Sequence, residues 1–306
     1  MATAVKFDRY GGIEELKVVK VPTPKAGPGR VVVEVVAAGI NPGEGYIRSG
    51  ALHEQWPATF PSGEGTDFAG RIVEIGSGVG GLEVGAEVVG FTDERASHAT
   101  HVVVSAAQVT LKPAKLDWDV AGALYVAGTT AFAAVQAVDP QAGDTVAVSG
   151  AAGGVGSIAV QLLRARGATV LGIASEANHD WLRKLGAVPV AYGAGLIDRI
   201  RAAAPDGVDA FIDTFGAEYV DLAIELGIPP ERIDTIINFE AADRYGVQTD
   251  GNAAAGTIDV LAELADLAAA GTVEVPIAAV YPLDRVQDAY RELEQRHTRG
   301  KIVLHP

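Results

Sequence analysis

Residues Gly153, Gly154, Val155 and Gly156 stand between a run that reads as a strand, "DTVAVS", and one that reads as a helix, "SIAVQLLRARGA". Gly154, Gly156 and Ala159 fit the spacing G-x-G-x-x-A, in the strand–turn–helix context that a dinucleotide site requires. A side chain here would hold a pyrophosphate off the main chain, whereas glycine lets the free N–H groups of the helix reach the anion. The alternative is a tight turn with no ligand. The next strand, "TVLGIAS", ends at Ser175, where an NAD site usually carries Asp or Glu about 20 residues beyond the glycines. A hydroxyl tolerates a 2′-phosphate that a carboxylate would repel. Asn178, Arg183 and Lys184 follow on the next helix, and Tyr192 ends the third strand. The pattern favours NADPH as the cofactor. Glu176 argues the other way, and Ser175 also suits an ordinary helix N-cap.

The elements that must position these residues change texture along the chain. Residues 1–121 are rich in short β-branched runs bounded by Gly and Pro, such as "GRVVVEVVAAGI" and "THVVVSAAQV", which predicts a mostly β domain. Residues 122–272 alternate buried strands ("TVAVSG", "TVLGIAS", "VPVAY", "VDAFIDTFG", "DTIINF") with helices, the pattern of an α/β, doubly wound parallel sheet of the Rossmann type. Residues 273–306 return to the first texture in "VEVPIAAVYPL" and "GKIVLHP". The expected architecture is a Rossmann sheet inserted in a discontinuous β-rich domain.

Composition limits the partners. Of 306 residues 48% are hydrophobic, and the formal charge is −15. That balance works against nucleic acid and acidic membrane surfaces. With no cysteine, disulfides, thiolate catalysis and cysteine-ligated zinc are excluded. The start "MATAVKFDRYGG" has no apolar signal core and no apolar run is long enough for a bilayer, so the expectation is a cytoplasmic protein.

"FDRYGGIEELKV", "AAGINPGEGYIRSG", "GTDFAGRIVEIGSGV", "VAGTTAFAAV", "SGAAGGVGSIAVQL", "VDAFIDTFG" and "GKIVLHP" together resemble the zinc-free quinone oxidoreductase group of the medium-chain dehydrogenase/reductase superfamily. The resemblance runs nearly the whole length. It implies a chaperonin-10-like substrate domain made of both chain ends, with the active cleft between it and the Rossmann domain. It implies a dimer or tetramer, of which a homodimer is the expectation, and reduction of a small-molecule quinone or enone by NADPH. Asn41 and Tyr46 match an Asn and a Tyr near the nicotinamide, and Thr130 matches a Thr that approaches it. Gly153 to Gly156 match the pyrophosphate turn. Ser175, Asn178 and Tyr192 match positions around the adenosine phosphate, with Asn178 standing where relatives often have Lys. The fifth strand, "DTIINFEAADRYG", departs from the family by lacking the Gly-rich end common beside the nicotinamide; Asn238 and Phe239 are expected to take over that wall, and Phe215 is expected among the cofactor-binding residues. Glu44 replaces an Asp, and the positions that hold zinc in other relatives have neither Cys nor His.

Hydride transfer needs little acid–base machinery, because the cofactor supplies the electrons and the protein aligns it with an acceptor. Tyr46 can donate a hydrogen bond or proton to a developing enolate or hydroquinone oxygen, or it is an aromatic wall with no proton role. Asn41 either orients an amide or carbonyl or is a turn residue before Pro42. Thr130 also suits a helix start. His98 and His101 are expected on an exposed loop, and Glu64 and Asp67, beside Gly63 and Gly65, are expected to serve turn chemistry. Two alternatives stay open: an enone reductase of secondary metabolism, and a non-catalytic NADPH-binding redox sensor.

Overall fold

A computed structural model describes residues 1–306. By contact the chain divides into two units. One holds Met1–Val126, Thr257–Gly271 and Pro276–Pro306, and the other holds Ala127–Gly256 and Thr272–Val275.

The first unit is built on β1 (Ala2–Phe7), β2 (Lys17–Val21), β3 (Arg30–Gly39), β4 (Ser62–Gly63), β5 (Asp67–Ile75), β6 (Glu87–Phe91), β7 (His101–Ser105) and β8 (Val109–Leu111). Helices α1 (Pro42–Ser49) and α2 (Trp118–Gly122) interrupt and follow them. The long strand β3 pairs antiparallel with β5 and β7. Its valines Val31, Val33 and Val35 alternate inward onto Phe68, Ile72, Val88, Val102 and Val104, the period-two pattern of a half-buried strand.

The C-terminal residues return to this unit as β14 (Ile277–Pro282), α11 (Val286–Glu294) and β15 (Lys301–His305). β15 joins β3 antiparallel, with Val303 opposite Gly39. This pairing is long in range: it sets Lys301 beside the segment that follows β3.

The second unit carries β9 (Thr145–Val148), β10 (Thr169–Ala174), β11 (Val188–Ala191), β12 (Ala210–Asp213) and β13 (Ile233–Thr235), all parallel, in the order β11-β10-β9-β12-β13. Its helices are α3 (Tyr125–Ala137, whose first two residues belong to the other unit), α4 (Gly154–Ala165), α5 (His179–Lys184), α6 (Leu196–Ala203), α7 (Tyr219–Glu225), α8 (Phe239–Tyr245) and α9 (Asn252–Ala255). This is the doubly wound order, in which the sequence of strands reverses between β9 and β12, and ligands bind at the carboxyl ends of strands beside such a reversal. Gln248 forms an isolated parallel bridge to Asp234 at the outer edge of β13.

The helix α10 (Ile258–Ala269) groups with the first unit, against the sequence-based boundary at residue 272. It buries Leu261, Leu264 and Ala265 and packs beside β8. Helical periodicity identifies an apolar face but not the sheet that covers it.

Asp234 lies fully buried on β13, accepting a hydrogen bond from the Asp250 N–H at 2.7 Å while its other oxygen has no partner. Burial, reinforced by Asp250 and Asp213, pushes this carboxyl from 3.8 up to about 7. A folded-state value above the unfolded one means stability is full below the unfolded value and is lost as pH rises through the folded one. Asp234→Asn keeps the acceptor for Asp250 and removes the ionisation. It is expected to stabilise the protein by about 2–4 kcal/mol at about pH 8.5 and to change little near pH 4, since each unit is worth about 1.4 kcal/mol. Urea unfolding at the two pH values measures the difference.

Candidate active site

In the second unit the glycine turn leaves β9 at the reversal point. Gly153 caps α4 in an extended conformation, and the chain is helical from Gly154. Ser157 N–H is the first to bond back, to Gly153 O at 3.0 Å. The N–H groups of Gly154, Val155 and Gly156 therefore point out of the helix end without an intrahelical acceptor. A Cβ on Gly156 would stand 2.3 Å from Gly150 O and 2.9 Å from Ala151 Cα, both rigid backbone. The helix start and the turn before it are packed too closely for any side chain, which is the cradle a pyrophosphate needs.

Asp213, fully buried at the end of β12, fixes this edge. One oxygen accepts from Ser149 Oγ at 2.6 Å and from the N–H groups of Phe215 (3.0 Å) and Gly216 (2.9 Å). The other accepts from Thr235 Oγ1 at 2.8 Å. One carboxylate thus ties together the ends of β9, β12 and β13. Asn238 caps α8 through Ala241 N–H and donates to Ala217 O at 2.7 Å, so its side chain holds two turns together. Phe239 is half exposed beside it.

The residues expected at the adenosine end come together by register. Ala174 on β10 pairs with Ala191 on β11, so Ser175 and Tyr192 leave adjacent strands side by side. Asn178 Nδ2 donates to Ser175 Oγ at 3.0 Å, and Tyr192 is half exposed. Arg183 is engaged by Asp180 at 2.6 Å. Thr130 lies inside α3 rather than at its start, and is buried with its methyl 3.9 Å from where a Cβ of Gly251 would be. Asn252 Nδ2 reaches the neighbouring Thr129 Oγ1 at 2.6 Å, so the segment around Gly251 lies over this part of α3.

The first unit holds a cluster that the sequence did not announce. Asn41, Glu44, Arg48, Glu64, Asp67, His98, Tyr290 and Lys301 are all buried. Asn41 is the N-cap of α1, and its N–H donates to Glu44 Oε2 at 2.8 Å. Its amide donates to Glu44 (3.3 Å) and Asp67 (3.4 Å) and accepts from Lys301 Nζ. Lys301 also donates to Ile40 O at 2.9 Å and lies 3.8 Å from Asp67. Tyr290 donates to Glu44 at 2.6 Å, and Arg48 pairs with Glu64 beneath the Tyr290 ring.

These groups perturb one another. Burial pushes the Glu64 carboxyl up to about 8 against the pull of Arg48, and pushes Asp67 up to about 6 against Lys301. Burial lowers Lys301 and His98 and raises Tyr290 well above its usual range. Glu64 and Asp67 are therefore members of a buried charge network rather than turn residues. His98 is fully buried, its Nε2 donating to Gly39 O at 3.2 Å, and not on an exposed loop; His101 is half-buried on β7. Glu44 and Arg48, one helical turn apart, fill the inner face of α1, which leaves Tyr46 on the opposite side, 45% exposed.

The sequence matches two families: the alcohol dehydrogenase GroES-like domain over residues 27–114 and the zinc-binding dehydrogenase over residues 185–304. Rat quinone oxidoreductase is 30% identical over 319 residues, spanning 98% of this chain and 95% of that protein. The chain belongs to the quinone oxidoreductase family. Within the same medium-chain dehydrogenase/reductase superfamily, the NADPH-dependent alkenal/one oxidoreductase of Arabidopsis thaliana chloroplasts is 29% identical over 98% of this chain and 78% of its own. The Escherichia coli quinone oxidoreductase, solved in complex with NADPH, superposes with a TM-score of 0.86 at 25% identity, covering 99% of this chain and 100% of that one. No helix of this family member is long and apolar enough to cross a membrane.

Proposed function

We propose that the protein transfers a hydride from NADPH to a quinone or an α,β-unsaturated carbonyl, without zinc. The observation that carries the reading is the bare end of α4 at the reversal of the sheet, where three N–H groups are free and Gly156 has no room for a Cβ. NADPH, when bound, supplies the hydride. Gly153, Gly154, Val155 and Gly156 hold its pyrophosphate. Ser175, Asn178 and Tyr192 take the adenosine phosphate. Thr130 and Phe215 flank the nicotinamide end, with Asn238 and Phe239 as the wall beyond. Tyr46 meets the acceptor oxygen and stabilises the charge that develops there. Asn41, whose amide is already committed to three neighbours, is a positioning residue that seats α1. The reading includes a homodimer, as the resemblance implies, and a cytoplasmic location, as expected from the sequence.

The donor set supports a reaction without zinc. The chain has no cysteine, and no three His, Asp or Glu residues are placed to share an ion. The buried carboxylates lie beside Lys301 and Arg48, cations that oppose a divalent metal.

Loss of NADPH absorbance with p-benzoquinone, phenanthrenequinone, methyl vinyl ketone and cinnamaldehyde tests the proposal. Turnover with at least one acceptor is expected. Tight NADPH binding with no turnover of any would transfer the protein to the sensor class. Tyr46→Phe is expected to lower kcat by about 100-fold if the hydroxyl donates a proton; a drop smaller than tenfold leaves Tyr46 as a wall.

A further inference from the structure

Resting on the NADPH reading, we infer that Arg199 is the residue that makes the nucleotide site prefer a 2′-phosphate. Three observations carry this. First, Arg199, on α6, wraps the turn that follows β11. Its Nε donates to Ala191 O at 2.9 Å, Nη1 to Ala194 O at 2.8 Å and Nη2 to Gly193 O at 3.0 Å. These carbonyls flank Tyr192 on both sides, so the guanidinium fixes where that side chain leaves the sheet. The turn is clasped twice: Gly193 and Gly195 both take left-handed φ values, 95° and 77°, and besides the guanidinium Gly193 O accepts from Leu196 N–H at 3.0 Å.

Second, the charge of Arg199 is not cancelled. It forms no ion pair with a carboxylate, whereas Arg183, the cation nearer in sequence to Ser175, is held by Asp180. A guanidinium has five N–H groups in a planar fork. The three recorded bonds leave two for a ligand. The exposed carboxylates of Glu176, after β10, and Asp198, on α6 itself, are the opposing charges nearby, and neither bonds to it.

Third, the turn after β10 offers no free cation at its tip: Asn178 stands there, and its amide is turned onto Ser175 Oγ at 3.0 Å. Ser175, Asn178 and Tyr192 supply neutral hydrogen bonds to a phosphate but no cation. Arg199 fills that need from α6, through its clasp on the Tyr192 turn. It acts as a positioning residue for Tyr192 and as the cation of the subsite.

The test is calorimetric titration of the full chain with 2′,5′-ADP and with 5′-AMP, which carry and lack the discriminating phosphate and need no turnover. For Arg199→Gln, 2′,5′-ADP affinity is expected to fall about tenfold or more, the worth of one charge-assisted contact, with 5′-AMP affinity within twofold of wild type. Arg199→Lys retains the point charge but not the three-carbonyl clasp, and is expected to fall between the two. If Arg199→Gln does not fold, the lysine variant carries the test, and equal affinity ratios in it and in wild type overturn the inference. Equal losses for both nucleotides in Arg199→Gln, or no loss, also overturn it while leaving the reductase reading intact. A wild-type protein that binds neither NADPH nor NADH sinks that reading itself.

Discussion

Gly156→Ala is expected to weaken NADPH binding by more than 100-fold, a larger effect than any other single methyl in the second unit should have. The added Cβ would sit 2.3 Å from Gly150 O and 2.9 Å from Ala151 Cα. Neither is the end of a flexible side chain, so the clash can be relieved only by moving the turn or the first turn of α4. The overpacking costs about 1–3 kcal/mol of stability. The larger consequence is geometric, because the three free N–H groups converge only while the turn stays in place. Asp213 opposes the movement, since its four hydrogen bonds hold the strand ends on either side. Gly153→Ala is the matched control: its Cβ meets only Gly150 O, at 3.2 Å, and the backbone there is extended, with φ −75° and ψ −179°. It should fold with a small loss and bind with a moderate one. Calorimetry with NADPH alongside thermal melts distinguishes them; a Gly156→Ala protein that binds within threefold of wild type contradicts the cradle.

The cradle was readable because its determinants are local. A strand, four residues and a helix in sequence fix the turn, and the register of adjacent parallel strands then brings Ser175 beside Tyr192. The same holds for the valines of β3, whose alternation faces one core. The cluster around α1 was not readable, because its members converge from separate strands and a distant helix. Lys301 reaches Asn41 only through the pairing of β15 with β3, and Tyr290 reaches Glu44 only because α11 packs under that sheet. Seen locally, Glu64 and Asp67 beside glycines are turn residues, and His98 is a loop histidine. Two signals did point inward. Glu44 and Arg48 are spaced one helical turn apart, and Lys301 opens an otherwise apolar terminal strand, where a cation survives only with partners.

Lys301→Met is expected to cost about 3–5 kcal/mol of unfolding free energy at about pH 8 and distinctly less near pH 5. The lysine is buried, and its removal strips Asn41 Oδ1 and Ile40 O of a donor and leaves the Asp67 carboxyl without its cation. In the wild type that carboxyl already stands at about 6, pushed up by burial and held down by Lys301. Its folded-state value lies above the unfolded one, so its ionisation subtracts stability as pH rises between them. Without the cation the folded value moves higher, and the subtraction continues beyond about pH 7, where the wild type has finished titrating. The deficit of the variant must therefore grow between about pH 6 and pH 8, which a merely steric defect would not do. Adding Asp67→Asn removes the orphaned charge while keeping an acceptor for Val126 N–H, at 3.0 Å from Asp67 in the native protein. The double variant should recover much of the loss at pH 8 and little at pH 5, because the two sites are coupled. A deficit that is flat with pH, or a double variant no better than the single one, would show that Lys301 supports α1 by packing alone, and Tyr46 would then owe its placement to the apolar contacts of the unit rather than to its buried charges.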